Sequence, residues 1–217
     1  MRLYWIKTNS FIKNIFSNYI WNIPNTGNKI YLTFDDGPTP KITEWVLEEL
    51  KKYNAKATFF CIGKNIVSHP DLFNNIINEG HTLGNHTFNH LNGWNTETTN
   101  YIENVALCES SLLNQKSKEQ KTNTKFFRPP YGKIKKSQSK KLRQLGYKII
   151  MWDVLSADFD QTISPEKCLE NVLQNAVSGS VIVFHDSVKA FINLEYALPR
   201  TLQILKEKGF KFDTLPY

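Results

Sequence analysis

Residues 29–38 read KIYLTFDDGP. Ile30, Tyr31, Leu32, Thr33 and Phe34 form a β-branched and aromatic run, and Gly37-Pro38 is a turn signal. The pattern predicts a strand over 29–34 that ends at Asp35 and Asp36. Adjacent strand side chains point to opposite faces, and two neighbouring carboxylates repel. Either a polar turn or a nearby cation accounts for the pair, and the rest of the chain has to decide between them.

Outward from this strand, the chain alternates. A helix is predicted over 42–53 (ITEWVLEELKKY), then a buried strand over 56–62 (KATFFCI). A helical stretch runs through DLFNNIINEG and closes at Gly80. A weak strand at 81–87, a helix at 97–115 and a strand at 125–130 stopped by prolines follow. Next come a helix at 137–146, a strand at 148–154 (KIIMWDV) and a helix at 164–177 with Ser164 as N-cap and Pro165 in its first turn. A strand at 180–186 (SVIVFHD), a helix at 197–209 with Pro199 marking its start and a strand at 210–215 complete the set. Strands alternating with helices imply a parallel sheet covered by helices. About seven strands at this spacing predict a closed or nearly closed β/α barrel, with a doubly wound open sheet as the alternative.

The composition suits one domain: 217 residues, 41% apolar and 22% charged. The division expected is a leader over 1–28 and a main domain over 29–217. Net charge is +7, with lysine clusters at 116–125 and 133–143. The second cluster falls on a predicted helix and reads most simply as a solvated face. No groove-reading motif accompanies the charge, so no nucleic-acid partner is expected. The three cysteines, Cys61, Cys108 and Cys168, form no CxxC pair and are read as reduced and buried. No secretory h-region or membrane span is visible, which favours a cytoplasmic or membrane-associated location. Phe11, Ile12, Ile15, Phe16, Tyr19 and Ile20 recur at helical spacing. A helix packed on the domain's own core is the simpler reading of residues 11–20. Weak contact with a membrane surface is the other.

The unusual polar residues fall at strand ends, where a β/α barrel gathers its reacting groups. Asp35 and Asp36 end the first strand. His86 and His90 follow the third, in HTFNH, and Arg128 and Tyr131 the next, in RPPYG. Asp153, Ser156 and Asp158 follow IIMW, and His185 and Asp186 end VIVF. HxxxH, read as a helical turn, puts two imidazoles on one side. With Asp35 or Asp36 they would make a two-His, one-carboxylate metal set, leaving the other aspartate as a base. His185 would then be a second acid/base group.

These motifs together resemble the polysaccharide deacetylase family, the NodB-homology carbohydrate esterases. TFDDGP, HTFNH, RPPYG, MWDVLSADFD and VIVFH match its motifs in order over residues 29 to about 215. The resemblance implies a distorted, incompletely closed (β/α)7 barrel in a single domain. It also implies a metal-dependent hydrolase that removes acetyl groups from N-acetylated amino sugars of a glycan. Asp35 corresponds to the general base, and Asp36, His86 and His90 to ligands of one divalent metal, zinc first, with cobalt or nickel as alternatives. Arg128 corresponds to the residue that holds the base, and Tyr131 to a groove residue whose backbone N–H meets the oxyanion. His185 corresponds to the general acid and Asp158 to the carboxylate behind it. Val183 and Phe159 would wall the acetyl pocket. The chain departs from the family pattern at Leu155, Phe159 and Val183, which bears on the groove walls. An N-acetylated glycan is the partner expected, and a monomer the state. O-acetyl ester hydrolysis or a non-catalytic glycan-binding barrel are the competing readings.

Overall fold

The structure is a computed structural model that describes residues 4–24, 27–115 and 125–216. Apart from Lys125, the lysine cluster at 116–125 lies outside them. The strands are β1 (Lys29–Asp35), β2 (Ala57–Cys61), β3 (Thr82–Asn85), β4 (Lys125–Phe127), β5 (Tyr147–Ile149), β6 (Val154–Leu155), β7 (Val181–His185) and β8 (Lys211–Phe212). They pair in the order β5-β4-β3-β2-β1-β7-β6, with β8 added to β1, and every pairing is parallel. The helices are α1 (Ser10–Ile15), α2 (Ile42–Lys52), α3 (Gly63–Ser68), α4 (Pro70–Asn78), α5 (Thr98–Gln115), α6 (Lys136–Gln144), α7 (Pro165–Leu173) and α8 (Phe191–Glu207). The sheet curls into a barrel that stays open between β5 and β6, as the resemblance implied.

The period of the first strand builds this arrangement. Ile30, Leu32 and Phe34 pack outward on Val46 and Leu50 of α2 and on Leu198 and Leu202 of α8. Tyr31 faces inward with Phe60, Phe126, Ile150 and Val181. Thr33 and Asp35 share that inward face, because strand side chains alternate. The first carboxylate therefore points into the barrel as a consequence of the pattern that makes the strand.

Other expectations need correction. KIIMWDV is not one strand. The chain leaves one edge of the sheet after Ile149, crosses the gap through Met151, Trp152 and Asp153, and joins the opposite edge at Val154. An apolar run reads alike whether it lies in one strand or crosses between two, since both are buried. The last helix begins at Phe191 and runs through Pro199. An interior proline removes one helical hydrogen bond and crowds the carbonyl four residues back, and the buried stripe of Leu194, Leu198, Leu202 and Leu205 holds the helix across it. Ser164 caps α7 as expected, accepting from the Lys167 N–H at 3.2 Å.

The N-terminal helix is shorter than expected, six residues, too few to stand alone. The surrounding segment is fixed to the barrel instead. Ile20 pairs with Ile150 at one edge of the gap and Lys7 with Val154 at the other. The Thr8 N–H donates to Asp153 O at 2.9 Å and the Met151 N–H to Ile20 O at 2.7 Å. Asp153 is buried and takes Lys7 Nζ and Ser180 Oγ, each at 2.6 Å, together with Lys13. Burial would push its carboxyl up, but Lys13, Lys7 and Ser180 hold it below the usual carboxylate range. The segment thus stops the opening that β5 and β6 leave.

Lys136, Lys140, Lys141 and Arg143 of α6 are exposed, which makes that cluster a solvated helix face. All three cysteines are free and buried. Among the described residues, no helix is long and apolar enough to cross a membrane.

Candidate active site

Asp35 ends β1 facing inward and meets Arg128, whose Nη1 donates to Asp35 Oδ1 at 2.7 Å. Arg128 is fully buried and fully engaged. The same Nη1 donates to Thr33 Oγ1 at 2.7 Å, Nη2 to Met151 O at 2.9 Å and Nε to Ile150 O at 3.3 Å. The guanidinium lies 4.1 Å from the Phe60 ring centroid. Burial lowers its pKa, and Asp35 offsets only part of that loss. Arg-Pro-Pro at a strand end is thereby explained: the carbonyls at the end of β5 and the inward face of β1 need one buried cation with a fork of donors.

If the strand simply continued, Asp36 would face the helices. Its φ of 83° turns the chain, and its carboxylate joins Asp35 in one cavity. The left-handed region suits Asp better than most residues. Asp36 Oδ1 is buried with no hydrogen-bond partner, yet it lies 3.2 Å from His90 Nε2 and 3.6 Å from His86 Nε2. One ligand atom from each of the three residues falls within 4.8 Å of the others. Burial would raise the Asp36 carboxyl, but the His90, His185 and His86 imidazoles pull it well below the usual range.

HTFNH does not form the helical turn expected. Residues 86–90 are a loop in which Thr87 and His90 adopt φ of 63° and 54°. Side-chain amides fold it. Asn85 Oδ1 accepts from the Thr87 N–H, and Asn104 Oδ1 accepts from Phe88 and Asn89. His86 Nδ1 lies 2.8 Å from Arg128 O. A carbonyl only accepts, so Nδ1 carries the proton and Nε2 keeps its lone pair toward Asp36. Burial, partly offset by Asp35, lowers the His86 pKa to about 4, so the ring is neutral at pH 7. A buried carboxylate oxygen without a donor, facing a neutral imidazole lone pair, fits a divalent cation in donor type and number.

Across the cavity, His185 ends β7. Asp158 grips it twice, accepting from its backbone N–H and from Nδ1, each at 2.7 Å. Burial lowers the His185 pKa, but Asp158 more than reverses this and Asp36 and Asp35 add to it, raising it to about 9. The ring is an imidazolium at neutral pH. Leu155, Phe159 and Val183 line the same cavity, of about 400 Å³. Phe159 sits edge-on to His185 at 5.1 Å. Tyr131 also lines it, with φ of 60° and its ring centroid 4.6 Å from that of His90. Asp35, Asp36, His86, His90, Tyr131, Phe159, Val183 and His185 thus line one cavity, with Arg128 and Asp158 directly behind its surface. Asp153 does not, since it anchors the N-terminal segment.

Two contributions escaped the sequence. Tyr4 and Trp152 line the cavity, and nothing in a leader tyrosine signals that it folds back on a distant strand end. Asp186, seen only as a polar strand end, is fully buried. Its Oδ1 accepts from the Gly37 N–H at 3.0 Å and its Oδ2 is bonded to Thr43 Oγ1. Burial, with the charge of Asp36, pushes it up to about 8 despite Thr43. It clamps the turn that aims Asp36. A Cβ on Gly37 would lie 1.9 Å from Asp186 Oδ2. Gly37→Ala is thus expected to destabilise by about 1–3 kcal/mol and to lower metal occupancy, read by melting temperature and metal analysis. An unchanged metal content would show that the clamp does not position Asp36.

The family model for polysaccharide deacetylases matches residues 22–150. A peptidoglycan-N-acetylglucosamine deacetylase of Bacillus cereus is 36% identical over 91% of this chain and 70% of its own. The chain belongs to the polysaccharide deacetylase family. A second Bacillus cereus peptidoglycan-N-acetylglucosamine deacetylase is 35% identical over 90% of each chain. A chitooligosaccharide deacetylase of Azorhizobium caulinodans is 28% identical over 89% of this chain and 96% of its own. The crystal structure of the Bc1960 peptidoglycan N-acetylglucosamine deacetylase in complex with 4-naphthalen-1-yl-N-oxidanyl-benzamide superposes with a TM-score of 0.84. It is 34% identical and covers 92% of this chain and 91% of that one. This polysaccharide deacetylase domain carries both halves of its candidate site, the aspartate–histidine cluster and the Asp158–His185 pair, on the strand ends of one barrel.

Proposed function

We propose that the chain is a metal-dependent hydrolase that removes acetyl groups from N-acetylglucosamine residues of a glycan. One observation carries the reading: the donorless Asp36 Oδ1 faces two imidazoles in the cavity that also holds Asp35 and His185. Asp36, His86 and His90 would hold the metal, with zinc proposed first. A divalent cation there supplies Lewis-acid polarisation of the acyl oxygen and acidifies water.

The chain's own residues do the rest. Arg128 holds Asp35 in place, and Asp35 accepts the proton of the attacking water. A C–O bond forms at the acetyl carbon. His185, protonated at neutral pH, gives its Nε2 proton to the amide nitrogen as the C–N bond breaks. Acetate and a free amine result. Asp158 stabilises the imidazolium until that transfer. Leu155, Phe159 and Val183 provide an apolar wall of the size and character of the acetyl methyl, and Tyr131 borders the groove.

The test is acetate release from N-acetylglucosamine oligomers and from peptidoglycan fragments, before and after removal of metal with a chelator. Release that stops with the chelator and returns with zinc, cobalt or nickel is expected. Release that persists through chelation refutes the metal, and release from acetylated xylan alone moves the reading to O-acetyl esters.

A further inference from the structure

A second cavity, of about 360 Å³, adjoins the catalytic one and shares Tyr4, Tyr131, Gly132 and Trp152 with it. Four of the chain's five tryptophans line it: Trp5, Trp21, Trp94 and Trp152. Phe16 and Tyr19 complete its aromatic wall. Trp5 is 61% exposed and Trp94 59%. Large aromatic side chains left in solvent on a concave surface mark a binding site more than a core.

The N-terminal segment builds one side of this cavity. The aromatic residues it contributes, Tyr4, Trp5, Phe16, Tyr19 and Trp21, all precede the matched family segment 22–150. The segment is held firmly, by the Asp153 ion pairs and by Thr8 Oγ1, which donates to Trp152 O at 2.8 Å. The 3₁₀ turn Gly93–Asn95 carries Trp94 on the other side, with Lys133 Nζ 5.3 Å from its ring. Gly132 lies at the junction of the two cavities with φ of 67°. A Cβ there would come within 2.6 Å of Trp152 Cη2. A larger residue would push Trp152 and reshape the passage.

An aromatic cavity with a lysine at its rim, opening on a site for one sugar, suits the next sugar of the same chain. A pyranose presents flat C–H faces to aromatic rings and hydroxyls to the polar edge, as amphipathic ligands of such clefts do. We propose that this cavity binds the sugar rings adjoining the one whose acetamido group occupies the catalytic cavity. The N-terminal segment is then a specificity element for longer glycans. The proposal rests on the glycan reading above.

Trp5→Ala and Trp94→Ala test it. Neither residue lines the catalytic cavity. The kcat/KM for a pentamer of N-acetylglucosamine is compared with that for an aryl acetate ester, which fills the catalytic cavity alone. Each variant is expected to lose roughly twofold to tenfold on the pentamer, with the ester rate and melting temperature kept. Trp94→Phe should restore most of the loss. Equal losses on both substrates, or none on the pentamer, overturn the subsite. Acetate release from no oligomer at all refutes the glycan reading instead. In that case pentamer binding, followed by quenching of tryptophan fluorescence, still decides: weakening by Trp94→Ala with recovery in Trp94→Phe upholds the subsite, and absent binding rejects it. Variants that lose only flotation with phosphatidylglycerol vesicles would assign the cavity to a lipid surface and overturn the proposal.

Discussion

Asp35→Asn is expected to keep its metal and to lose about 10²–10⁴ in kcat. The amide preserves shape, and its oxygen still accepts from Arg128 Nη1, but it cannot take the water's proton. Arg128 keeps Thr33 and the carbonyls of Ile150 and Met151. Its charge is no longer paired, however, and breaking a buried ion pair costs about 3–5 kcal/mol when a partner is deleted outright. A lower melting temperature should accompany the kinetic loss, smaller than that of Asp35→Ala. Asp36→Asn should behave differently, losing metal first and activity as a consequence, because Oδ1 is the atom shared between His86 and His90. Metal content and kcat measured on both variants separate the two carboxylates. If the phenotypes exchange, Asp35 is the ligand and Asp36 the base.

That division was open in the sequence for a physical reason. Strand periodicity alone sends Asp35 and Asp36 to opposite faces. Their meeting in one cavity depends on the positive φ of Asp36 and on the Asp186 clamp on Gly37. Neither leaves a periodic trace. The same holds for HTFNH. Its spacing was legible, but two left-handed residues and the amides of Asn85 and Asn104 do what a helical turn was expected to do. The strands β1, β2 and β7 were readable because each is a continuous apolar run bounded by turn signals. The crossing at Met151–Asp153 was not, because Met151 and Asp153 are as buried as strand residues, and Met151 continues the apolar run of β5. The role of Tyr4 had no local signal at all, since it depends on a segment folding over a gap that exists only after the sheet has curled.

The pH dependence of kcat/KM should fall on its alkaline side as His185 loses its proton. The imidazole is raised to about 9, chiefly by Asp158 acting against burial, with Asp36 and Asp35 contributing. A cation bound at Asp36 cancels part of that contribution, so the limb in the metal-loaded enzyme should lie at or below about 9. Asp158→Asn removes the largest favourable influence on the imidazolium, and the limb should move toward the ordinary histidine value of about 6.5. Metal content should not change, because Asp158 lies behind His185 and belongs to no ligand. The sign also fixes a stability effect. A folded-state pKa above the unfolded one stabilises fully below about 6.5, and the contribution is lost as pH rises through about 9. Asp158→Asn should therefore lower the melting temperature most at acidic and neutral pH and least above the limb. His185→Ala should reduce kcat on the amide by about 10²–10⁴. An aryl acetate ester should lose far less, since a phenolate departs without the proton an amine requires. Equal losses on amide and ester would remove His185 as the acid and leave it a role in binding. An alkaline limb unmoved by Asp158→Asn would assign that limb to another group in the cavity.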